Sequence, residues 1–476
     1  MRLTLHHILD LQHTRLLHAD EPRRAVITGV STDSRTVRKG DVFFALRGDR
    51  FDGHNFLTKA SGMGAYAAVI EERWASTNEP LLASLRLPLV VVQDAVQSLG
   101  ELASAYRRQF SIPLIAVVGS NGKTTTKEMI SAVLKRRFSV LSTEGNLNNH
   151  IGVPQTIFTL EKTHDVAVLE LGTNHFGEVD TLCRIAQPTH GMITNIGSEH
   201  LEFFGDLDGV ARAEGELAVW LRTHRGPSAR VIVNNDDPVV RKLFRGFGMA
   251  MTYGMTSGSV DLQGTITTDR SSRSSVLILQ TEGGRPVAVR LSVPGRHSAM
   301  NALAAAAVGR ALRVPFTEIK KALESFRPAN KRTHIKRIAG ITILDDTYNA
   351  NPDSVRAALE TLEGLPSEGK KIAVLGDMLE LGGQSEAEHR AIGDTLSGGS
   401  VEYLLTYGEQ AQAIHDAAAV SFKAHYDQKN MLAEYLIELV TPGDAVLVKG
   451  SRGMRMEDVV TFLVERLSRT LTKTGS

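Results

Sequence analysis

A strand, a glycine-rich turn and a helix start follow one another in the first third of the chain, and this order most constrains the fold. An apolar run over residues 112–118 predicts a buried strand. The turn after it contains Gly119 and Gly122, and the helix is predicted to begin at about Thr124, directly after Lys123. A phosphate-binding loop needs this succession of strand, turn and helix. We therefore expect a phosphate site here.

The polar groups of this turn suit that chemistry. Gly119 and Gly122 let backbone N–H groups approach phosphate oxygens, and the helix N-terminus adds partial positive charge. Lys123 can reach the outer phosphates, and the Thr124 hydroxyl can bind Mg²⁺. The match is partial, because the first glycine of the full motif falls on Val117. The alternative is a turn that binds nothing, but a Lys-Thr pair after the second glycine favours phosphate. The predicted nucleotide-binding residues are Gly119, Ser120, Asn121, Gly122, Lys123, Thr124 and Thr125.

Length and composition set the outer limits of the interpretation. A chain of 476 residues predicts about three domains, which we place at 1–110, 111–326 and 327–476. The net charge of +1 gives no bulk attraction to nucleic acid or to a membrane surface. No apolar stretch approaches the roughly 18 residues that span a bilayer, and no signal peptide is evident. The only cysteine, Cys183, excludes an internal disulfide, which fits a cytoplasmic protein.

A polar turn stands out in the first unit, which has no phosphate loop of its own. Its hydroxyls, backbone amides and arginine suit a diphosphate or a uracil edge. A polar loop between two strands explains the same residues equally well. The turn comprises Ser31, Thr32, Asp33, Ser34 and Arg35.

The middle unit alternates predicted strands and helices, which indicates a mostly parallel sheet. One predicted strand ends at Glu170, and His200 lies just past the end of the next. Ligands bind at the carboxyl edge of such sheets, so Glu170 and His200 are candidate Mg²⁺ ligands. Either residue could instead be purely structural. On a later alanine-rich helix, His297 and Asn301 lie one turn apart and could face a base.

The last unit places a polar cluster after each of three predicted strands. These clusters are residues 345–354, 376–378 and 449–455. One edge of this sheet is therefore expected to hold acid, amide, lysine and arginine groups together. Asn351 followed by Pro352 predicts a helix cap and first helical position.

Ten motifs spread over nearly the whole chain together resemble the Mur ligase family, the ATP-dependent amide-bond ligases of peptidoglycan precursor synthesis. The resemblance implies a UDP-binding N-terminal domain, a central P-loop ATPase-like domain and a Rossmann-like C-terminal domain. The motifs are STDSR, GDVFFALRG, DGHNF, GSNGKTTTK, EGNLNNHIGVP, LELGTNHFGEVD, TNIGSEHLEFFG, LDDTYNANPDS, LGDMLELG and VLVKGSRGMRMED.

The last four motifs resemble the family member that joins D-alanyl-D-alanine to UDP-N-acetylmuramoyl-tripeptide. The resemblance implies ATP and Mg²⁺ as cofactors, an acyl-phosphate intermediate and, we expect, a monomer. The family's diamino-acid-adding ligase typically shows an Asp-Asn-Pro-Arg-type motif, which is absent here. That ligase, a folylpolyglutamate synthase and a P-loop hydrolase or switch protein remain the alternatives.

The resemblance also implies a role for individual residues. Thr124 and Glu170 match a first Mg²⁺ site, and His200 matches a second. Lys123 and Arg332 match cations that stand between the reacting anions. The remaining matches are Ser31 to Arg35 at the UDP diphosphate, Asn149 near the sugar-phosphate, His297 and Asn301 near adenine, Asp346 over the nucleotide, and Tyr348, Asn349 and Asn351 in the signature loop.

Three departures from the family pattern affect these assignments. Many members carry a carbamylated lysine in the helix after the histidine, but here no lysine occurs between Lys162 and Lys242. We expect Glu214 to supply the missing carboxylate directly. The usual Gly-Arg after the boundary of the last domain reads Lys331-Arg332, and the usual His-Asn pair of the adenine helix reads His297-Ser298.

Overall fold

Three α/β units follow one another in the computed structural model, which describes residues 3–11, 14–18, 26–48, 51–256, 258–268, 275–328 and 331–474. Each unit is built on its own sheet, and each sheet is mainly parallel. The predicted α/β class is confirmed. No helix in the described ranges is both long and apolar enough to cross a membrane.

The first sheet has five strands in the order β2-β7-β6-β5-β4, and β2 alone runs antiparallel to its neighbour. A separate antiparallel pair joins β1 to β3. The strands are β1 Leu3–Thr4, β2 Arg15–Leu17, β3 Val26–Ile27, β4 Val30–Ser31, β5 Val42–Phe44, β6 Ala67–Glu71 and β7 Leu89–Val92. The helices are α1 Leu5–Leu9, α2 Leu57–Gly62, α3 Glu72–Ala75, α4 Glu79–Ser84 and α5 Ala95–Arg107.

The second sheet has nine strands in the order β16-β15-β14-β13-β12-β11-β8-β10-β9. Its strands run parallel from β9 to β14, and β15 and β16 extend it antiparallel. The strands are β8 Leu114–Val118, β9 Val140–Ser142, β10 Val166–Glu170, β11 His190–Ile193, β12 Arg230–Asn234, β13 Met249–Gly254, β14 Leu262–Thr268, β15 Ser275–Gln280 and β16 Val287–Arg290. The helices are α6 Lys123–Leu134, α7 Gly152–Phe158, α8 Glu178–Ala186, α9 Leu201–Phe204, α10 Leu207–Arg225, α11 Pro238–Leu243, α12 Arg296–Ala311 and α13 Phe316–Ser325.

The strand order of the second sheet positions the predicted site. Strand β8 lies between β10 and β11 and is buried along its whole length, which explains its unbroken apolar sequence. The glycine-rich turn follows β8, Glu170 is the last residue of β10, and His200 follows β11. All three therefore meet at one edge, where parallel sheets bind their ligands.

The third sheet has six strands in the order β17-β18-β22-β19-β20-β21, and only β17 is antiparallel. The three predicted polar clusters follow β18, β19 and β22, which are direct neighbours. The strands are β17 His334–Ile338, β18 Ile341–Asp346, β19 Lys371–Gly376, β20 Tyr403–Tyr407, β21 Phe422–Tyr426 and β22 Ala445–Lys449. The helices are α14 Pro352–Gly364, α15 Ser385–Thr395, α16 Gln412–Ala417, α17 Lys429–Leu439 and α18 Glu457–Thr474.

Apolar contacts connect the three units. One core runs from the first sheet through α5 into the second unit, and it includes Leu99 and Val153. Another joins Leu201 and Phe204 of the second unit to Leu381 of the third. Each unit therefore shares buried apolar surface with the next, which fixes the crevice between the second and third sheets.

Arg107 ties the end of α5 to the second unit. Its guanidinium is buried and donates to the backbone oxygens of Phe110 (2.6 Å), Ile112 (2.9 Å) and Ala186 (3.2 Å). Burial, more than the charge of Arg225, lowers the pKa of this arginine to about 10. Three carbonyls of the junction thus depend on one side chain.

Replacing Arg107 by methionine should loosen this junction, because three carbonyls lose a charged donor. We expect the opening free energy of α5 to fall by about 2–4 kcal/mol, measured by native-state hydrogen exchange of its amides. Arg108→Met is the matched control, because Arg108 is exposed and its side chain donates to Ser104 Oγ at 3.3 Å. Equal protection in the two variants would contradict the assigned role.

Candidate active site

A cavity of about 970 Å³ opens between the carboxyl edges of the second and third sheets. Its volume suits a ligand of nucleotide size. It brings together most of the residues predicted from the sequence. These are Ser120, Asn121, Gly122, Lys123, Thr124, Thr125, Asn149, Glu170, His200, His297, Asn301, Arg332, Asp346, Tyr348, Asn349 and Asn351.

The glycine-rich turn has the strained geometry that its sequence indicates. Gly119 has φ +116° and Gly122 has φ +79°, a region that residues with a Cβ rarely adopt. A Cβ at Gly119 would lie 2.4 Å from Thr194 Oγ1, and one at Gly122 would lie 2.6 Å from Asn301 Oδ1. Both glycines are therefore required by conformation and by space.

Lys123 begins α6 and is held inside the turn. Its Nζ donates to the backbone oxygen of Gly119 at 2.5 Å and lies 3.2 Å from Glu199 Oε2. Burial by itself would lower the pKa of the ammonium, but the carboxylates of Glu199, Glu214 and Glu170 outweigh it and the pKa is raised. Lys123 is therefore charged and available to an anionic ligand.

Two buried glutamates meet below the turn. Glu214 is fully buried on α10, and its Oε2 accepts a hydrogen bond from Gly119 N at 2.8 Å. Glu199 lines the cavity, and burial followed by the charge of Glu214 raises its pKa well above the usual range, although Lys123 acts in the opposite direction. Two carboxyl groups and one ammonium therefore share this buried region, and a further cation would stabilise the ionised form of Glu199.

Glu170 reaches the same region from β10. Its Oε1 accepts from Asn148 Nδ2 at 2.9 Å, and its Oε2 lies 4.0 Å from the Nζ of Lys127. Lys127 is buried, donates to Thr143 O at 2.8 Å, and has its pKa lowered by burial. Glu170 is thus oriented by an amide and faces a second buried cation.

Several buried oxygens at this edge have no hydrogen-bond partner, an arrangement that costs free energy unless a ligand completes it. They form a set of hard oxygen donors of the kind that Mg²⁺ prefers. They are Thr124 Oγ1, Glu170 Oε2, Glu199 Oε1 and Glu214 Oε1. Within the described ranges no three His, Cys, Asp or Glu residues converge into a complete metal cage. The donors therefore fit an ion that takes its other ligands from phosphate and water.

His200 connects the second unit to the third. Its Nδ1 lies 2.5 Å from Glu380 Oε2, and its Nε2 lies 4.0 Å from Glu199 Oε2. The hydrogen bond from His200 is the main reason why the pKa of Glu380 is lowered. Glu380 itself belongs to the loop after β19 and lines the cavity.

The predicted base-binding pair lies at the far wall of the cavity on α12. His297 is half exposed, with its Nε2 4.0 Å from Glu360 Oε2. Its pKa is lowered, first of all by burial. Asn301 Oδ1 accepts from Thr126 Oγ1 at 3.2 Å, so it also supports the first turn of α6.

The edge of the third sheet faces the turn from the opposite side. Asp346 pairs with Lys449 Nζ at 2.5 Å, and Lys449 also donates to Asn349 O at 2.8 Å. The Arg332 guanidinium stacks 3.7 Å from the centroid of the Tyr348 ring. Asn351 caps α14 as predicted, accepting from Ser354 N at 2.8 Å.

The predicted UDP turn does not line the cavity. Asp33 binds Arg35 at 2.6 Å, and this hydrogen bond lowers the pKa of Asp33 to about 2. Thr32 Oγ1 accepts from Gln155 Nε2 of α7 at 2.7 Å, so the turn contacts the second unit. Asn149, which does line the cavity, accepts through Oδ1 from Gly152 N, the first residue of α7, at 2.9 Å.

Several cavity residues were not among the predicted site residues. Lys449, Ser451 and Arg452 belong to a motif whose strand-end position already indicated them. Asn148, Glu199 and Glu380 also line the cavity, and only their contacts with Glu170, Lys123 and His200 indicate a role. All three lie within quoted motifs, and the first two are next to predicted residues.

Three family models match the chain in succession. Residues 26–107 match the Mur ligase family, catalytic domain, and residues 117–309 match the Mur ligase middle domain. Residues 331–452 match the Mur ligase, glutamate ligase domain. The matches follow the three sheets in order.

Individual relatives extend over nearly the full length. The UDP-N-acetylmuramoyl-tripeptide–D-alanyl-D-alanine ligase of Escherichia coli (strain K12) is 36% identical over 472 residues, 97% of this chain and 98% of that protein. A crystal structure of MurF from Acinetobacter baumannii superposes with a TM-score of 0.87 at 34% identity, covering 98% of this chain and 99% of that one. MurF ligase from Thermotoga maritima in complex with ADP gives 0.81 at 29% identity, covering 93% and 99%. The chain belongs to the Mur ligase family.

Proposed function

We propose that this protein uses ATP to join D-alanyl-D-alanine to UDP-N-acetylmuramoyl-tripeptide in peptidoglycan precursor synthesis. The observation that carries the proposal is the cavity itself, which has a phosphate loop with a charged lysine on one wall and a polar sheet edge on the other. The full-length similarity to ligases named for these substrates supports the choice of substrate. The reaction belongs in the cytoplasm, and the protein acts as a monomer.

Each unit has one substrate in this proposal. Residues 1–110 hold the UDP end through the turn that begins at Ser31, residues 111–326 hold ATP, and residues 327–476 bring the acceptor. The hydrogen bond from Gln155 to Thr32 supports this arrangement, because it holds the UDP turn against α7, which follows the cavity residue Asn149. His297 and Asn301 on the cavity wall support placing adenine there.

The first chemical step joins two anions. A carboxylate is a poor acylating agent, so its oxygen attacks the γ-phosphorus of ATP, the bond to ADP breaks, and an acyl phosphate forms. Lys123 stands at the loop where the phosphates would lie, and Arg332 faces it from the third unit. Both cations neutralise charge that develops during the transfer, and the loop glycines position the phosphates.

Mg²⁺ is the metal that the unpartnered oxygens fit. Thr124 and Glu170 would hold one ion, and His200 with Glu214 would hold a second. When bound, the ions would screen the repulsion between the carboxylate and the triphosphate. Glu199 lies between Lys123 and His200, 3.2 Å from the Nζ of the first and 4.0 Å from the Nε2 of the second.

The second step forms the amide. The amine of D-alanyl-D-alanine attacks the acyl carbon, phosphate leaves, and the amine loses a proton. Lys449, held by Asp346, and the backbone of the Ser451 loop line the cavity where the acceptor must approach. Their role is to position the dipeptide and the leaving phosphate.

An ADP-release assay over a panel of substrates tests the proposal. Release should require both UDP-tripeptide and D-alanyl-D-alanine. A requirement for a diamino acid with UDP-dipeptide would identify the diamino-acid-adding activity instead. Release without any acceptor would identify a simple hydrolase, and either result would overturn the proposal.

Lys123→Ala should reduce ADP release by about 10³-fold, because the loop loses its only direct charge toward the phosphates. A coupled assay with both substrates measures this loss. Lys135→Ala, at the exposed end of the same helix, is the matched control and should leave turnover unchanged. Retained turnover in Lys123→Ala would refute the role of the loop.

Glu214 should act through its charge as well as its hydrogen bond to Gly119. We expect Glu214→Ala and Glu214→Gln both to raise the Mg²⁺ concentration for half-maximal ADP release, by about 10–100-fold. Added bicarbonate should have no effect on the wild-type protein, because no carbamate is needed. Asp208→Asn, exposed on the same helix, is the control.

Two results would contradict the proposed role of Glu214. If Glu214→Gln behaves as wild type, the residue only holds the loop through Gly119 N. If wild-type turnover depends on bicarbonate, another group supplies the carboxylate.

A further inference from the structure

Glu380, in the motif LGDMLELG, lines the cavity but has no role in the proposed function. Glu380 lies in the loop between β19 and α15 and has φ +63°, a left-handed conformation that is uncommon for a residue with a Cβ. Its backbone oxygen accepts from Glu202 N of the second unit at 3.1 Å. The loop is therefore held in an unfavourable conformation directly against α9.

The side chain of Glu380 reaches His200. The distance from Glu380 Oε2 to His200 Nδ1 is 2.5 Å. An ionised carboxylate only accepts hydrogen bonds, so Nδ1 carries the proton. In the neutral imidazole this leaves the lone pair on Nε2, the nitrogen that lies 4.0 Å from Glu199 Oε2.

We propose that Glu380 is a positioning residue that presents Nε2 of His200 to a divalent cation in the cavity. A histidine that binds a metal through one nitrogen is commonly oriented by a carboxylate on the other, which sets both tautomer and ring direction. The inference rests on the proposed role of His200 as a cation ligand. The third unit then contributes to the cation site through Glu380.

Other contacts at the same junction do not involve His200. Gln384 Nε2 donates to Gly205 O at 3.0 Å, and Ser198 N donates to Asp353 Oδ2 at 2.9 Å. These contacts hold the third unit against the second. They allow the orientation of His200 to be separated from the docking of the two units.

The tautomer of His200 tests the geometry without metal. In metal-free protein, ¹⁵N NMR of the histidine rings should show His200 with its proton on Nδ1, assigned by comparison with His200→Gln. Glu380→Ala should shift the population toward the Nε2-protonated form. Glu380→Gln should keep the Nδ1 proton, because the amide oxygen still accepts it. An unchanged tautomer in Glu380→Ala would overturn the inference.

Metal affinity tests the consequence. With ADP present and Mn²⁺ as the probe, read by electron paramagnetic resonance, Glu380→Ala should weaken binding about 10–100-fold. Glu380→Gln should restore part of that affinity. Gln384→Ala, which loosens the same junction, should bind Mn²⁺ as the wild type does.

The variants distinguish the possible failures. If Gln384→Ala weakens Mn²⁺ binding as much as Glu380→Ala, Glu380 acts only by docking the units and the inference is wrong. If His200→Ala weakens binding but Glu380→Ala does not, the inference fails and the proposed cation role of His200 stands. If His200→Ala has no effect on Mn²⁺ binding, His200 is not a cation ligand, and the inference falls together with that proposed role.

Discussion

A lysine buried among carboxylates is the interaction on which the rest of the site depends. Lys123 lies at the start of α6, and Glu170, Glu199 and Glu214 all act on its charge. Buried carboxylates are costly unless cations balance them, and the raised pKa of Glu199 indicates that Lys123 and Lys127 do so only in part. The imbalance makes the edge of the second sheet receptive to further cations, and those cations in turn make it receptive to phosphate.

The arrangement of the sheets explains how such a cluster forms. Strand β8 lies between β10 and β11, so the turn, Glu170 and His200 meet at one edge without any long loop to bring them there. The third sheet has the same arrangement, because Asp346 and Lys449 lie at the ends of adjacent parallel strands and form an ion pair. Two carboxyl edges facing each other create a cavity that neither sheet could form alone.

The sequence predicted the parts of the site that depend on local pattern. The apolar run into the glycine-rich turn fixed the position of α6 to within one residue, since the helix begins at Lys123. Glu170 and His200 were predicted to meet because the ends of parallel strands share an edge, and both line the cavity. Asn351 was correctly placed as a helix cap because Asn-Pro is a local signal.

Contacts between distant segments could not be predicted in this way. Glu199 and Lys123 are 76 residues apart, and Glu380 and His200 are 180 apart, so no periodicity relates them. The structure also shows that Arg35 pairs with Asp33, two residues away. The sequence does not show whether this arginine is paired or free to bind an anionic ligand. The fold of the second unit brings Glu199 to Lys123, and the packing of that unit against the third brings Glu380 to His200.

The central claim is that Lys123 exchanges its carboxylate partner for phosphate. A crystal structure with a non-hydrolysable ATP analogue and Mg²⁺ tests it most directly. The account predicts the triphosphate in the turn from Gly119 to Thr125, with Lys123 Nζ on its outer phosphates and no longer on Glu199. A turn without the analogue, with Lys123 still bound to Glu199 and the triphosphate elsewhere, would contradict it.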